Sequence, residues 1–289
     1  NVKRFPKPGE TLHINQAQKE FGGGKGANQA IAASRLAADT TFISKVGKDG
    51  NANFILEDFK KAGIHTQYIL TSESEETGQA FITVDEAGQN TILVYGGANM
   101  TLSATDVEMS ADAFIGADFV VAQLEVPFEA IEQAFKIARK QNITTVLNPA
   151  PAIELPKSLL ELTDIIIPNE TEAELLTGIS INNESDMKET ATYFLDLGIS
   201  AVLITLGEQG TYCAYQEQYK MIPACNVKAV DTTAAGDTFI GAFLSELNKD
   251  LSNLESAIRL ANQASSLTVQ RKGAQASIPT RKEVEAEYN

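Results

Sequence analysis

Ile165-Ile166-Ile167-Pro168-Asn169-Glu170-Thr171-Glu172-Ala173 reads as a buried strand that turns directly into a helix. Three β-branched apolar residues in a row leave no polar face, which suits a strand covered on both sides. Pro168 cannot continue the ladder, and Asn169 is a good helix N-cap with Glu172 three residues on. Working outward, Thr145-Val146-Leu147 and Phe119-Val120-Val121-Ala122 precede it, and Ala201-Val202-Leu203-Ile204 follows. The apolar spacing predicts helices over 127–141, 171–176 and 185–197 between them. Further upstream, 41–46 reads as a strand, 47–50 as a turn and 53–62 as a helix. Near the C-terminus a last helical stretch covers 254–269. Strand and helix alternate, so the expected architecture is α/β, a doubly wound and mostly parallel sheet with helices on both faces.

A second texture interrupts the first. Gln79-Ala80-Phe81-Ile82-Thr83-Val84 and Asn90-Thr91-Ile92-Leu93-Val94-Tyr95 flank a five-residue loop containing Gly88, the pattern of a β-hairpin. Residues 12–21 offer a further strand. These pieces are too few for a core of their own. They are expected to form a small lid, over about residues 11–21 and 79–96, on one α/β domain spanning 1–289, with an extension of the main sheet's edge as the alternative.

The 289 residues carry 23 basic and 38 acidic side chains, a net charge of −15. That balance argues against nucleic acid and anionic membranes as partners. No run approaches the roughly 18 apolar residues of a transmembrane helix. The start, Asn1-Val2-Lys3-Arg4-Phe5-Pro6, has no apolar stretch typical of a signal peptide. Two cysteines, Cys213 and Cys225, and two histidines, His13 and His65, make neither a disulfide framework nor a zinc site. A cytoplasmic location is expected.

Four segments have the make-up of a site. Gly22-Gly23-Gly24-Lys25-Gly26-Ala27-Asn28-Gln29 lacks the Ser or Thr that a phosphate-binding Walker loop needs after its lysine. Its glycines make either a tight turn or a backbone cradle for a polyhydroxyl ligand, with Lys25 and Asn28 donating. Asn169 and Glu172 are either a helix cap or holders of hydrated Mg²⁺ beside a phosphate. Thr205-Leu206-Gly207-Glu208-Gln209-Gly210 closes a strand, as a turn or as a close approach for a ring or phosphate. Val230-Asp231-Thr232-Thr233-Ala234-Ala235-Gly236-Asp237-Thr238-Phe239 leads small residues straight into an apolar helix. There the N–H groups of Ala235, Gly236 and Asp237 would converge on an anion, and the Asp237 carboxylate suits an alcohol that attacks a phosphate. A carboxylate beside a helix N-terminus is expected to have a lowered pKa.

Together with Leu147-Asn148-Pro149-Ala150-Pro151-Ala152 and Arg271-Lys272-Gly273-Ala274-Gln275, these segments resemble the ribokinase / phosphofructokinase-B family of carbohydrate kinases, in order from Phe5 to about Pro279. The Ala234–Phe239 segment marks the superfamily. The Gly23–Ala30, Leu147–Ala152 and Arg271–Gln275 segments point to its ribose-phosphorylating members. The resemblance implies transfer of the γ-phosphoryl of ATP to the 5-hydroxyl of D-ribose. It makes Asp237 the catalytic base, with Ala234, Ala235 and Gly236 around the anion hole. Gly24, Lys25, Gly26, Ala27, Asn28 and Glu125 would contact the sugar. Asn169, Asn262, Gly236 and the run Thr205, Leu206, Gly207, Glu208, Gln209 and Gly210 would line the nucleotide, with Glu172 in the Mg²⁺ water shell. A monovalent cation, K⁺ by preference, would sit among Asp231, Thr233, Thr268, Arg271, Gly273 and Ser277, mostly on backbone carbonyls. The family's β lid implies a homodimer. Asn1-Val2-Lys3-Arg4 matches the segment after the family's first strand and its sugar-gripping Asn-x-Asp pair, so that strand is expected to be absent from this sequence and ribose affinity reduced.

Three other readings remain at this stage. One is a sister kinase acting on fructose, deoxyribose or a nucleoside. Another is a non-catalytic sugar-binding regulator on the same fold. The third, a nicotinamide oxidoreductase, rests only on a loose Gly22, Gly24, Ala27 spacing.

Overall fold

The computed structural model describes residues 2–14, 22–86 and 90–288. In chain order the elements are α1 (Lys25–Arg35), β1 (Ser44–Gly47), α2 (Gly50–Ala62), β2 (Ile69–Ser72), β3 (Gln79–Val84), β4 (Asn90–Tyr95), α3 (Ala104–Met109), β5 (Phe119–Ala122), α4 (Phe128–Lys140) and β6 (Thr144–Leu147). There follow α5 (Lys157–Leu160), β7 (Ile165–Ile166), α6 (Glu170–Thr177), α7 (Glu184–Asp196), β8 (Ala201–Thr205), β9 (Thr211–Tyr215), β10 (Gln218–Ile222), α8 (Ala235–Glu246), α9 (Leu254–Thr268) and α10 (Arg281–Tyr288).

The central sheet runs β10-β9-β8-β7-β6-β5. Strands β5 to β8 are parallel, and β9 and β10 add an antiparallel hairpin at one edge. Successive side chains point to opposite faces, and the core divides accordingly. Ile165, Ile167, Ala201 and Leu203 pack against α8 and α9 on one face. Ile166, Val202, Ile204 and Tyr212 meet α4, α6 and α7 on the other. Each fully buried isoleucine contributes about 1.5–3 kcal/mol from area alone, so the apolar runs hold both helical layers at once.

Two small sheets stand apart. β1 and β2 pair in parallel, and β3 and β4 pair antiparallel with Phe81 opposite Leu93 and Ile82 opposite Ile92. The 41–46 strand is therefore not part of the main sheet. Thr41 makes only an isolated bridge to His65, and β1 has β2 as its partner. Residues 12–14 carry no strand, and the remainder of the strand expected over 12–21 lies outside the described residues.

Helix ends follow local chemistry. Asp49 caps α2 by accepting from Ala52 N–H, and Gly63 ends it in the left-handed region. This lengthens the helix expected from 53 back to Gly50. The Oδ1 and Oδ2 of Asp49 also take the hydroxyl and N–H of Thr77, just before β3. The root of the β3–β4 hairpin is thereby tied to α2.

Candidate active site

The C-terminal ends of the parallel strands are where an open α/β sheet presents ligand-binding groups. Here they carry Gln123 after β5, Asn148 after β6, Asn169 after β7 and Thr205 at the end of β8. Asn169 and Thr205 form a parallel bridge, and Thr205 N–H donates to Pro168 O at 2.9 Å. α1 and α8 lie over this edge. Gly241 sets their approach, since a Cβ there would stand 2.5 Å from Ala32 Cβ and 2.6 Å from both Ala33 N and Gln29 O. Only glycine permits α8 to press this closely on α1.

That crossing joins the two motifs. Asn28 Nδ2 donates to Asp237 Oδ2 at 2.8 Å and Gln29 Nε2 to Asp237 Oδ1 at 3.1 Å. Asp237 is the third residue of α8, behind Ala234, which adopts a left-handed φ of 60°. Such a conformation is uncommon for a residue with a side chain. It turns the chain so that the first N–H groups of α8 face outward. Ala235 N–H turns back to Thr232 O at 3.2 Å. The unclaimed donors are thus those of Gly236 and Asp237, without acceptors among the described residues, rather than all three expected. Among the described residues nothing lies within 4 Å of a Cβ built on Gly236, so the space beside this turn is open.

The electrostatics correct one expectation. Burial pushes the Asp237 pKa up, and the Asn28 and Gln29 amides and the Lys25 charge offset only part of that. The helix N-terminus does not set the sign; desolvation between α1 and α8 does. Glu125 and Glu172 are likewise raised by burial, each with the Asp237 charge adding to the effect. Lys25 is the cation these three carboxylates share, and its ammonium has no ion-pair partner among the described residues. Glu125 Oε2 accepts Lys25 N–H at 2.7 Å and so caps α1 from across the cleft.

Gly24 has a φ of 83°, and Gly26 lies where a Cβ would come within 2.7 Å of Gln123 Oε1. Ala27 instead packs toward the apolar cluster of α1 and α2 with Phe42 and Phe59. Its methyl is a core group.

Asn169 and Glu172 form a full capping box. Glu172 N–H donates to Asn169 Oδ1 at 2.8 Å, and Asn169 N–H and Nδ2 donate to Glu172 Oε2 and Oε1, each at 2.9 Å. Both alternatives left open by the sequence therefore fall on the same pair. Each carboxylate oxygen keeps acceptor capacity beyond its one N–H. Among the described residues no cluster of three metal-binding side chains occurs. One carboxylate near a phosphate site fits Mg²⁺ that keeps its waters and binds mainly to substrate phosphates.

In the 205–210 loop, Leu206 N–H donates to Gly210 O at 2.8 Å, and residues 207–209 are exposed. Gly210 is a packing requirement, because a Cβ would meet Ile222 O at 2.2 Å. Asn262 is buried and holds the framework: its Oδ1 accepts Thr211 Oγ1–H at 3.1 Å and its Nδ2 donates to Ile222 O and Pro223 O.

Asp231 closes two loops on each other. Its Oδ1 accepts Thr233 N–H and Oγ1–H, and its Oδ2 accepts Gly273 N–H at 3.0 Å. Burial alone would raise its pKa, but the Thr233 and Gly273 donors and the Lys272 charge bring it below the usual value. Thr268 Oγ1 donates to Thr238 Oγ1, while Arg271 turns its guanidinium to Glu283. Ser277 is buried, with its hydroxyl on Ala274 O. Asp231, Thr233 and Gly273 are thus joined directly, whereas the side chains of Thr268, Arg271 and Ser277 bond to other partners; oxygen donors of this kind are the type a monovalent cation takes. A separate groove of about 650 Å³, lined by Arg139, Asp164 and Lys249, opens at the opposite ends of β6 to β8. Arg139 there pairs with Asp164 at 3.6 Å, so it presents no converging set.

The sequence reading passed over Gln29, Gln123 and Asn148 as site residues. Their signal was present: a polar amide on the apolar side of an Ala-rich helix, and amides directly after two apolar strands.

Comparison with known proteins bears on this geometry. The model of the pfkB family carbohydrate kinases matches residues 1–281. The chain is 64% identical over 283 residues to ribokinase from Staphylococcus aureus, covering 98% of this chain and 93% of that protein. It is 36% identical over 280 residues to deoxyribokinase from Salmonella typhi, covering 96% and 91%. A solved structure of Arabidopsis thaliana ribokinase complexed with ribose and ATP superposes with a TM-score of 0.89 at 34% identity, covering 99% and 93%.

Proposed function

The chain belongs to the pfkB family of carbohydrate kinases, and from that premise we propose that it transfers the γ-phosphoryl group of ATP to the 5-hydroxyl of D-ribose, giving ribose 5-phosphate and ADP. The observation that carries this reading is the Asp237 carboxylate, held by Asn28 and Gln29 directly beside the unclaimed N–H groups of Gly236 and Asp237. A hydroxyl placed against that carboxylate has its proton acceptor and its phosphoryl-binding donors in one concavity. The identity to ribokinase, well above that to deoxyribokinase, favours ribose.

Phosphoryl transfer proceeds through a loose transition state, so positioning and charge stabilisation do most of the work. The sugar's 5-oxygen bonds to the γ-phosphorus as the bond to ADP breaks, and its proton passes to Asp237. The raised pKa of Asp237 makes it a better acceptor than an exposed aspartate. The Gly236 and Asp237 N–H groups receive the charge on the transferring oxygens, reinforced by the positive end of α8. Gly24, Lys25, Gly26, Asn28 and Glu125 hold the sugar. Asn169 and the 205–210 loop hold ATP.

Mg²⁺, when bound with ATP, neutralises phosphate charge, with Glu172 holding its waters. Asp231, Thr233, Gly273, Thr268, Arg271 and Ser277 provide the oxygens for K⁺, next to the turn that presents the anion hole. Ser265 Oγ–H on Ala235 O, at 2.9 Å, links that turn to α9. The exposed apolar hairpin β3–β4 supports a homodimer through the lid. Among the described residues no helix is long and apolar enough to cross a membrane. The cysteines are free thiols, which agrees with the proposed cytoplasmic location.

The test is turnover of ATP with ribose, 2-deoxyribose, fructose and nucleosides, with the phosphorylated carbon read by NMR. Ribose 5-phosphate as the preferred product is expected. Faster turnover of another acceptor, or sugar binding without ADP formation, would overturn the reading.

A further inference from the structure

Asp237 has two oxygens, and the structure treats them differently. Gln29, only 2% exposed, lies at the centre of a buried chain of amides. Its Oε1 accepts Gln123 Nε2–H at 2.6 Å, and its Nε2 donates to Asn148 Oδ1 at 3.0 Å as well as to Asp237 Oδ1. Asn148 Nδ2 donates to Ile167 O at 3.0 Å. A backbone carbonyl can only accept. Ile167 O therefore fixes which end of Asn148 faces it, Asn148 Oδ1 then faces Gln29, and Gln29 must present its nitrogen to Asp237. The orientation is dictated from Ile167 O, just after β7, through Asn148.

Asn28 is bound less firmly. Its Nδ2 meets Asp237 Oδ2, but its Oδ1 is buried with no partner among the described residues. Its amide can turn toward a sugar hydroxyl without breaking other bonds, and that frees Oδ2.

We propose that Gln29 is a positioning residue which holds Oδ1 of Asp237 throughout the reaction, so that Oδ2 alone takes the proton of the attacking hydroxyl. This rests on the reading of Asp237 as the base. The other charged groups facing Asp237 are Lys25 on α1, Glu125 after β5 and Glu172 on α6, and none of them changes in the variants below. The Gln29 donor favours the ionised carboxylate, so its loss raises the pH below which the base is protonated and idle.

The experiment uses the full chain with Gln29→Met, which keeps the length of the side chain and removes its N–H, and with Gln123→Leu, which removes the donor that holds Gln29 Oε1. Steady-state kinetics with ribose and ATP are measured from pH 5 to pH 9, alongside thermal unfolding. We expect kcat of Gln29→Met to fall by about 10–100-fold, with KM for ATP within about twofold, since a misplaced reacting group is felt in the chemical step. The acid limb of kcat should move to higher pH. Gln123→Leu should move both in the same direction by less, and it supplies the result if Gln29→Met does not fold. In an Asp237→Asn background, Gln29→Met should add little, because both act through one carboxylate. A folded Gln29→Met with kcat within about threefold of the parent, or with lower kcat and an unmoved acid limb, overturns the proposal. Failure of the underlying reading looks different: the parent chain would not turn over ribose, or Asp237→Asn would keep its rate.

Discussion

Asp237 and the β3–β4 hairpin stand at opposite extremes of the molecule. The carboxylate is bound by α1 from two positions, rests on α8 and is backed by amides from the ends of β5 and β6. The hairpin is tied at its root, where Asp49 grips Thr77 and a Cβ on Gly97 would strike Glu76 O, and at the loop end of β3 by a single bond from Val2 N–H to Val84 O at 2.8 Å. Beyond the root, Leu93 and Val94 are 68% and 66% exposed and Phe81 is 58% exposed. Phe81 and Leu93 lie opposite each other on one face with Gln79, Thr83 and Thr91, and Ile82 and Ile92 lie on the other with Ala80 and Val94. One face is thus mixed and the other mostly apolar, and large apolar side chains are exposed on both. The proposed base is held within the chain from several elements, whereas the hairpin leaves large apolar side chains exposed among the described residues.

The largest effect should come from breaking the determined end. Asp237→Asn should lower kcat by about 10²-fold or more while ribose and ATP still bind, because proton acceptance is lost and the scaffold is kept. Asn28 can absorb the change by turning its unpartnered Oδ1 toward the new amide. The same variant should melt higher than the parent at neutral pH. A carboxyl whose folded pKa is raised stabilises the fold below its unfolded pKa and loses that contribution as pH rises through the folded value. The parent therefore carries an ionised buried carboxylate at pH 7 that the asparagine lacks. The difference in Tm should close as pH falls below the ordinary carboxylate range, and an equal or lower Tm for the variant at pH 7 would show that burial does not dominate at this site.

The open end is tested by Leu93→Asp. Burying a leucine contributes about 1.5–3 kcal/mol, so the dissociation constant of a lid-mediated dimer should rise by roughly 10–100-fold. Sedimentation velocity over a concentration series reads this; a parent chain that is monomeric at micromolar concentrations would remove the lid interface. Between the two regions lies the helix crossing. Gly241→Ala should destabilise the fold by about 1–3 kcal/mol through overpacking against Ala32 and Gln29 O, measured by urea unfolding, with kcat falling alongside as Gln29 is displaced. The smallest effect should follow replacement of K⁺ by a bulky organic cation at constant ionic strength. Turnover should drop severalfold, and equal rates in both salts would exclude the Asp231–Gly273 loop as a cation site.

Much of the fold was legible because burial leaves a periodic trace. The uninterrupted Ile165-Ile166-Ile167 and Ala201-Val202-Leu203-Ile204 runs told of two covered faces, and the alternation in 79–84 and 90–95 told of a hairpin. The antiparallel pair β9–β10 went unread, because Thr211-Tyr212-Cys213-Ala214-Tyr215 mixes residue types and its turn at Gln216 and Glu217 uses non-glycine residues at positive φ. The place of β1 outside the main sheet was also hidden, since four residues of strand say nothing of their partner. At the site, Asp237, Asn28 and Asn169 were visible as polar groups at helix starts. The amide chain through Gln29 was not, because it depends on three elements distant in sequence. The sign of the Asp237 pKa escaped for the same reason: a helix terminus is visible in a sequence, but the desolvation imposed by a second helix is not.

The capping box at the start of α6 has a consequence for how long a nucleotide stays. Asn169 already uses its side chain to close the end of α6, and losing such a cap costs about 0.5–2 kcal/mol. In the proposed nucleotide-binding role, a phosphate or ribose group that draws Asn169 away from Glu172 must offset this local fraying. When the contact is released, re-formation of the cap favours the empty state. Residence time is shortened by roughly 2–30-fold for that energy. The helix end thus behaves as a spring set against prolonged product occupancy, and a chain with Glu172→Gln, which weakens the reciprocal half of the cap, should release ADP more slowly in stopped-flow measurements.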